Sequence, residues 1–221
     1  MEPIKSLQKV ILILGANSDV AKEAIRLYVE RGDRVIAASR SVDELRDFVA
    51  RTVSRPELVT VLYFDAVVFD EHRRFYEGLP EKPHIVVYAA GYLKNNEEAM
   101  RDWGGAFRMM QVHYAGAVSI LNIIVTDESN ARLERIIGLS SLSGVRGRKS
   151  NFIYGSTKSA MTQYLAGLRQ YLFGRNITVN GVYPEQDDGR AEFSRVADAG
   201  AGVYCPIGRG SREALHHRAG V

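Results

Sequence analysis

Of the eleven tyrosines in the chain, Tyr154 alone is followed four residues later by a lysine, Lys158. On a helix this spacing stacks the two side chains on one face, one turn apart. A free phenol has a pKa of about 10 and is a poor base at neutral pH. An ammonium beside it favours the phenolate, so the pair is suited to moving a proton. With seven lysines present, about one chain in three of this composition would carry the pair by chance, so its surroundings must decide. Thirteen residues upstream lies Ser141, at the end of Ile137-Gly138-Leu139-Ser140-Ser141, an apolar run that finishes in hydroxyls. Its hydroxyl can donate a hydrogen bond where negative charge develops on a reacting oxygen. His113, in Gln111-Val112-His113-Tyr114-Ala115-Gly116, is open to two readings. It is either a donor and acceptor in a proton relay, or a packed histidine bonded to backbone.

The elements that must hold these residues follow a strict alternation. Val10-Ile11-Leu12-Ile13-Leu14 is a continuous apolar run ending at Gly15, as in a strand buried on both faces. A helical pattern follows, with Val20, Ala24, Leu27 and Tyr28 on the inner side and Lys22, Glu23, Arg26 and Glu30 on the outer, until Gly32. Strands at 34–38, 58–64, 85–88 and 135–139 each precede a helix, at 42–53, 69–78, within 97–125 and at 152–173; a last strand is predicted at 177–183. The fold class is therefore α/β, a Rossmann-like doubly wound parallel sheet. Residues 1–184 read as one dinucleotide-binding and catalytic domain. Residues 185–221 read as an irregular tail, with 211–218 its only helical stretch.

In such a sheet ligands gather at the carboxyl ends of the strands, near helix N-termini. The first turn is Gly15-Ala16-Asn17-Ser18-Asp19-Val20-Ala21, in which Gly15 allows a tight bend. Asn17 and Ser18 can cap the helix or bond a phosphate, and Asp19 and Val20 complete the stretch expected to contact the cofactor. The three-glycine dinucleotide fingerprint is missing, since Asp19 and Ala21 stand where later glycines would. The second strand ends in Ala37-Ala38-Ser39-Arg40, a hydroxyl and a guanidinium where an NAD site carries a carboxylate. Arg40 can clamp a 2′-phosphate through paired charge-assisted bonds, which favours NADP(H), with NAD second. The fourth strand runs into Ala89-Ala90-Gly91, small enough to let a cofactor lie against the backbone.

Taken in order, these features resemble the short-chain dehydrogenase/reductase family from Val10 to about Pro184. The resemblance rests on the Gly15 turn, Ser39-Arg40, Asp65 after the third strand, Ala89-Ala90-Gly91, Ser141 and Tyr154-Gly155-Ser156-Thr157-Lys158. It implies that Tyr154 is the general acid/base, that Lys158 lowers its pKa and holds the nicotinamide ribose, and that Ser141 orients the substrate carbonyl. It also implies that Asp65 contacts the adenine and that the chain pairs with copies of itself, as a homodimer or homotetramer. The broad apolar face of Tyr164, Leu165, Leu168, Tyr171 and Leu172 would serve that pairing or the core. The turn Gly15–Ala21 and the stretches 91–97 and 114–117 look like those of bacterial cell-envelope and polysaccharide reductases, some of which act on keto-sugars. The activity expected is hydride exchange between NADP(H) and a carbonyl or secondary alcohol. A rival expectation is a nucleotide-binding or scaffold protein of the same fold with weak or lost catalysis.

Two positions depart from that family. His113 stands where an asparagine usually helps hold a water chain to the lysine. After Pro184 the family continues with glycine and, soon after, a threonine for the nicotinamide carboxamide, followed by a lid and a further strand. Here Glu185 follows and 185–221 contains no threonine, as in a trimmed variant or a chain whose reading frame changed near Pro184. Ser194 offers a hydroxyl in place of that threonine.

The remaining signals exclude more than they suggest. The charge is 29 basic against 26 acidic residues and is interspersed, so nucleic acid is not an expected partner. No apolar run reaches membrane-spanning length, and the first residues do not read as a secretory leader. Cys205 is the one cysteine and His216-His217 lacks partners at metal-ligand spacing, so a reducing cytoplasm and no metal are expected.

Overall fold

The structure, a computed structural model, describes residues 8–183. Six parallel strands form one sheet in the order β3-β2-β1-β4-β5-β6. They are β1 (Val10–Leu14), β2 (Arg34–Ser39), β3 (Val59–Tyr63), β4 (Ile85–Tyr88), β5 (Arg135–Leu139) and β6 (Thr178–Val182). Between them lie α1 (Asp19–Glu30), α2 (Val42–Thr52), α3 (His72–Glu77), α4 (Asn96–Arg101), α5 (Trp103–Met110), α6 (Gly116–Val125) and α7 (Phe152–Tyr171). The doubly wound α/β expectation is met.

The apolar strand runs follow from burial on both faces. Leu12, Leu14, Val86, Tyr88 and Ile136 point into one core layer with Tyr76 of α3, Ile120 of α6 and Met161 of α7. Ile11, Ile13, Val35, Val87 and Ile137 point into the other, with Ile25 of α1 and Leu45 of α2. Alternate residues of a strand therefore enter opposite layers, and neither face has a place for polar side chains. Strand order reverses where β1 pairs with both β2 and β4, which opens a crevice beyond the ends of those strands.

Three expectations need correction. In α1 the buried face is Ala21, Ala24, Ile25, Tyr28 and Val29, while Val20 and Leu27 are half-buried at its border. The long helix within 97–125 is broken: Asp102 is extended (φ −119°, ψ 94°), which ends α4 and starts α5. A π turn, Gln111–Ala115, then joins α5 to α6. The apolar face proposed for α7 packs mainly inward, since Leu165, Leu168 and Leu172 are buried in the core and only Tyr171 stands well exposed. Pro184 and the tail 185–221, with Ser194, Cys205 and His216-His217, lie outside the described residues.

Candidate active site

At the reversal of strand order lies a cleft of about 420 Å³, lined by Gly15, Asn17, Ser18, Ser39, Arg40, Asp65, Ala89, Ala90, Gly91, His113 and Tyr154 among others. Residues from six separate stretches of the sequence thus share one surface. Gly15 makes this possible, with its left-handed φ of +86° directly against the backbone of Ala89 and Ala90. Ser18 caps α1, its Oγ accepting from the Ala21 N–H at 3.2 Å. Asn17 turns away to donate to the Ser41 carbonyl at 3.0 Å. Asp65 lines the cleft with its carboxylate anchored by the Val67 N–H at 3.1 Å. Arg40 is exposed and has no ion-pair partner among the described residues. Asp19 and Val20 open α1 but are not among the lining residues, so these two expected contacts are not brought into the cleft.

The serine, tyrosine and lysine come together by close packing of backbone. Ser141 caps a short 3-10 turn, Leu142–Gly144, and its Oγ accepts the Ser143 N–H at 3.2 Å. A Cβ on Gly155 would collide with the Ser143 carbonyl, so only glycine beside the tyrosine lets this turn sit on α7. The Ser141 side chain acts on the Tyr154 phenol and favours its ionised form. Lys158 is buried and its Nζ donates to the Leu139 carbonyl at 2.8 Å, with the ammonium 5.9 Å from the centre of the Tyr154 ring.

The electrostatics differ from the sequence expectation. Burial raises the Tyr154 phenol above its ordinary value, and only the Ser141 side chain works against it. Lys158 is not what sets it. Burial instead brings the lysine itself down to about 8.

His113 sits in the π turn, fully buried, with its ring edge-on to Tyr154 at 5.1 Å. Its Nε2 accepts the Tyr92 N–H at 3.0 Å, so the proton is on Nδ1, which donates to Thr157 Oγ1 at 2.7 Å. The Thr157 hydroxyl donates in turn to the Tyr154 carbonyl at 2.7 Å. Both nitrogens are committed, which favours the packed reading over the relay. Burial, and then the charge of Lys158, lower its pKa from 6.5 to about 2. The unfolded chain therefore binds a proton between these values that the folded chain refuses, so stability is present above pH 6.5 and is lost as pH falls below it. The melting temperature of the wild type should accordingly fall more between about pH 7 and about pH 5 than that of His113→Asn. Equal falls in the two proteins would show that His113 does not carry this linkage.

Sequence reasoning missed three contributors. Asn96 is buried and its Oδ1 accepts the Ile153 N–H at 3.1 Å, fastening the start of α4 to the first turn of α7. The Leu139 carbonyl and the Tyr92 N–H are backbone groups, which leave no mark on a sequence. The doublet Asn95-Asn96 was the only available signal for the first.

The residue set suits a pyridine dinucleotide phosphate. Asn17 Oδ1 is a buried acceptor without a partner among the described residues, Gly91 opens onto empty space at the lining, and Arg40 supplies an unpaired cation. Among the described residues no cluster of His, Cys, Asp and Glu could hold a metal, and no helix is long and apolar enough to cross a membrane.

Comparison with known proteins agrees with this geometry. A family model described as short chain dehydrogenase matches residues 9–188. A Mycobacterium tuberculosis protein described as an uncharacterized oxidoreductase is 26% identical over 171 residues, covering 76% of this chain and 68% of that one. A Haemophilus influenzae protein described as a "Probable NADP-dependent dehydrogenase" is 28% identical over 194 residues, covering 84% and 73%. The crystal structure of a short-chain dehydrogenase/reductase from Vibrio parahaemolyticus superposes with a TM-score of 0.75 at 19% identity, over 89% of this chain and 95% of that one.

Proposed function

The chain belongs to the short-chain dehydrogenase family, and from that premise we propose an oxidoreductase that exchanges a hydride between NADP(H) and a carbonyl or secondary alcohol. The observation that carries this reading is that Tyr154 and the unpaired Arg40 line one cleft, with Ser141 acting on the tyrosine's phenol. The bound nicotinamide would supply or accept the hydride. Everything else belongs to the chain. Arg40 and Ser39 would hold the 2′-phosphate, Asp65 the adenine side, and Ala89-Ala90-Gly91 the flat middle of the cofactor. Ser141 holds the substrate oxygen by a donated hydrogen bond, and Tyr154 delivers or takes the proton there. Lys158 keeps a positive charge beneath the tyrosine from a buried seat on the Leu139 carbonyl. His113 and Asn96 hold the first turns of α7 in place and exchange no proton.

For the substrate we propose a keto-sugar of polysaccharide synthesis. The stretches 15–21, 91–97 and 114–117 support that reading, and turnover of keto-sugars against generic ketones measures it. Pairing into a homodimer or homotetramer is supported by the exposed Trp103, whose ring stacks on Phe107 at 5.7 Å along the outer face of α5. Sedimentation at the monomer mass would remove that part.

The direct test of the cofactor is Arg40→Ala. Loss of a charge-assisted clamp should weaken NADPH about tenfold or more, read by nicotinamide fluorescence, while NADH changes less than about twofold. Unchanged NADPH affinity would sink the phosphate assignment. Tight NADPH binding with no turnover of any carbonyl would favour a nucleotide-binding protein without catalysis.

A further inference from the structure

The Arg40 end of the cleft carries a carboxylate as well as a guanidinium. Glu44, in the first turn of α2, lines the same surface as Arg40, Ser41 and Asn17. Both of its oxygens are engaged. Oε2 accepts from Asn17 Nδ2 at 3.3 Å and Oε1 from Lys22 Nζ at 3.0 Å. The same Asn17 amide donates to the Ser41 carbonyl, so the turn opening α1 and the loop opening α2 are fastened together beneath the carboxylate. This end of the cleft therefore presents one unpaired cation, Arg40, beside a carboxylate, Glu44, whose partner Lys22 is not among the lining residues.

The two pyridine dinucleotides differ at the 2′ position of one ribose. A hydroxyl there is a donor, which a carboxylate can accept. A phosphate is an anion, which a carboxylate repels and an arginine attracts. We propose that Glu44 is a specificity-determining residue that offsets Arg40: it opposes the 2′-phosphate of NADP(H), accepts from the corresponding hydroxyl of NAD(H), and so narrows the preference that Arg40 imposes. This rests on the cleft being an NADP(H) site. Specificity here is a difference between two affinities, and a repulsive group in the lining sets it as directly as an attractive one.

Glu44→Gln tests the idea with little change of shape. The glutamine carbonyl can still accept from Asn17, while Lys22 loses its counter-charge. The measurement is equilibrium titration of NADPH and of NADH, followed by nicotinamide fluorescence, on the wild type, Glu44→Gln and Arg40→Ala. In Glu44→Gln the ratio of NADH to NADPH dissociation constants should rise about fivefold or more, with NADPH tighter, NADH weaker and the NADPH gain shrinking at high salt. A ratio that stays constant or moves toward NADH overturns the proposal. If Arg40→Ala weakens NADPH while Glu44→Gln leaves the ratio alone, the cofactor reading stands and the role of Glu44 fails. If Arg40→Ala leaves NADPH unaffected, the cofactor reading fails and takes this proposal with it.

Discussion

Replacing Tyr154 with phenylalanine is expected to lower turnover about a thousandfold, while NADPH binding stays within about twofold of the wild type. The two effects separate because the ring and the hydroxyl have different partners. The ring lies edge-on to His113 and packs with Ala99, Ala106, Met109 and Ile153, contacts that phenylalanine keeps. Tyr154 lines the cleft, and loss of its hydroxyl removes the proton donor without opening a cavity. The pH dependence follows from the same environment. Burial holds the phenol above its ordinary value, so Tyr154 stays protonated through the neutral range. Carbonyl reduction uses the protonated form and should be flat at neutral pH, falling only as pH rises through the phenol's pKa. Alcohol oxidation uses the deprotonated form and should rise with pH. Lys158, lowered to about 8, carries its charge below that pH and loses it above. A phenylalanine variant keeping more than about a tenth of wild-type turnover would remove Tyr154 from the proton path. Oxidation that does not rise with pH would do the same.

The sequence speaks clearly where one physical requirement dominates a segment. Val10–Leu14 and Ile85–Tyr88 are apolar throughout because both faces are buried, and the parallel sheet follows from that. Edge strand β3 is only partly buried, yet Val59, Val61 and Leu62 still mark it. The π turn had no such mark. It depends on how Gly116 meets the Ala66 carbonyl and the Tyr88 hydroxyl across the core, which is a property of three distant segments together. The break at Asp102 was better signalled, since Gly104-Gly105 follows it within two residues. At the site, the sequence singled out Tyr154 and Arg40, and the fold brings both to one cleft. Side chains whose role depends on who sits opposite were not legible. His113 could be assigned only once Tyr92 and Thr157 were seen to occupy both its nitrogens. Glu44 carries no sequence signal of its own, and only the fold brings it beside Asn17 and Lys22. The direction of the Tyr154 shift depends on burial, and pair spacing alone pointed the other way.

Gly15→Ala is expected to lower the melting temperature by about 5–15 °C and to abolish detectable NADPH binding. Gly15 has φ +86°, and an added Cβ would fall inside the contact distance of the Ala90 N and Cα. Neither side can yield cheaply. The Gly15 N–H donates to the Ala38 carbonyl at 2.9 Å, tying the turn to β2, and the Ala89 N–H donates to the Leu14 carbonyl at 2.7 Å, tying β4 to β1. A left-handed alanine costs about 1 kcal/mol and overpacking about 1–3 kcal/mol more, a large share of an ordinary domain's stability of about 5–15 kcal/mol. Whatever relaxation occurs must separate the Gly15 turn from Ala89-Ala90, and both segments line the cleft. Binding is therefore lost along with stability. Gly91→Ala supplies the contrast, because a Cβ there meets nothing within 4 Å. Its melting temperature should match the wild type to within about 1 °C, since surface additions without a clash change stability little. Thermal melts of the two variants side by side separate a general intolerance of alanine in this region from the specific contact at Gly15. If Gly15→Ala melts like Gly91→Ala and still binds NADPH, then the close approach of the first turn to the end of β4 is not what shapes the site.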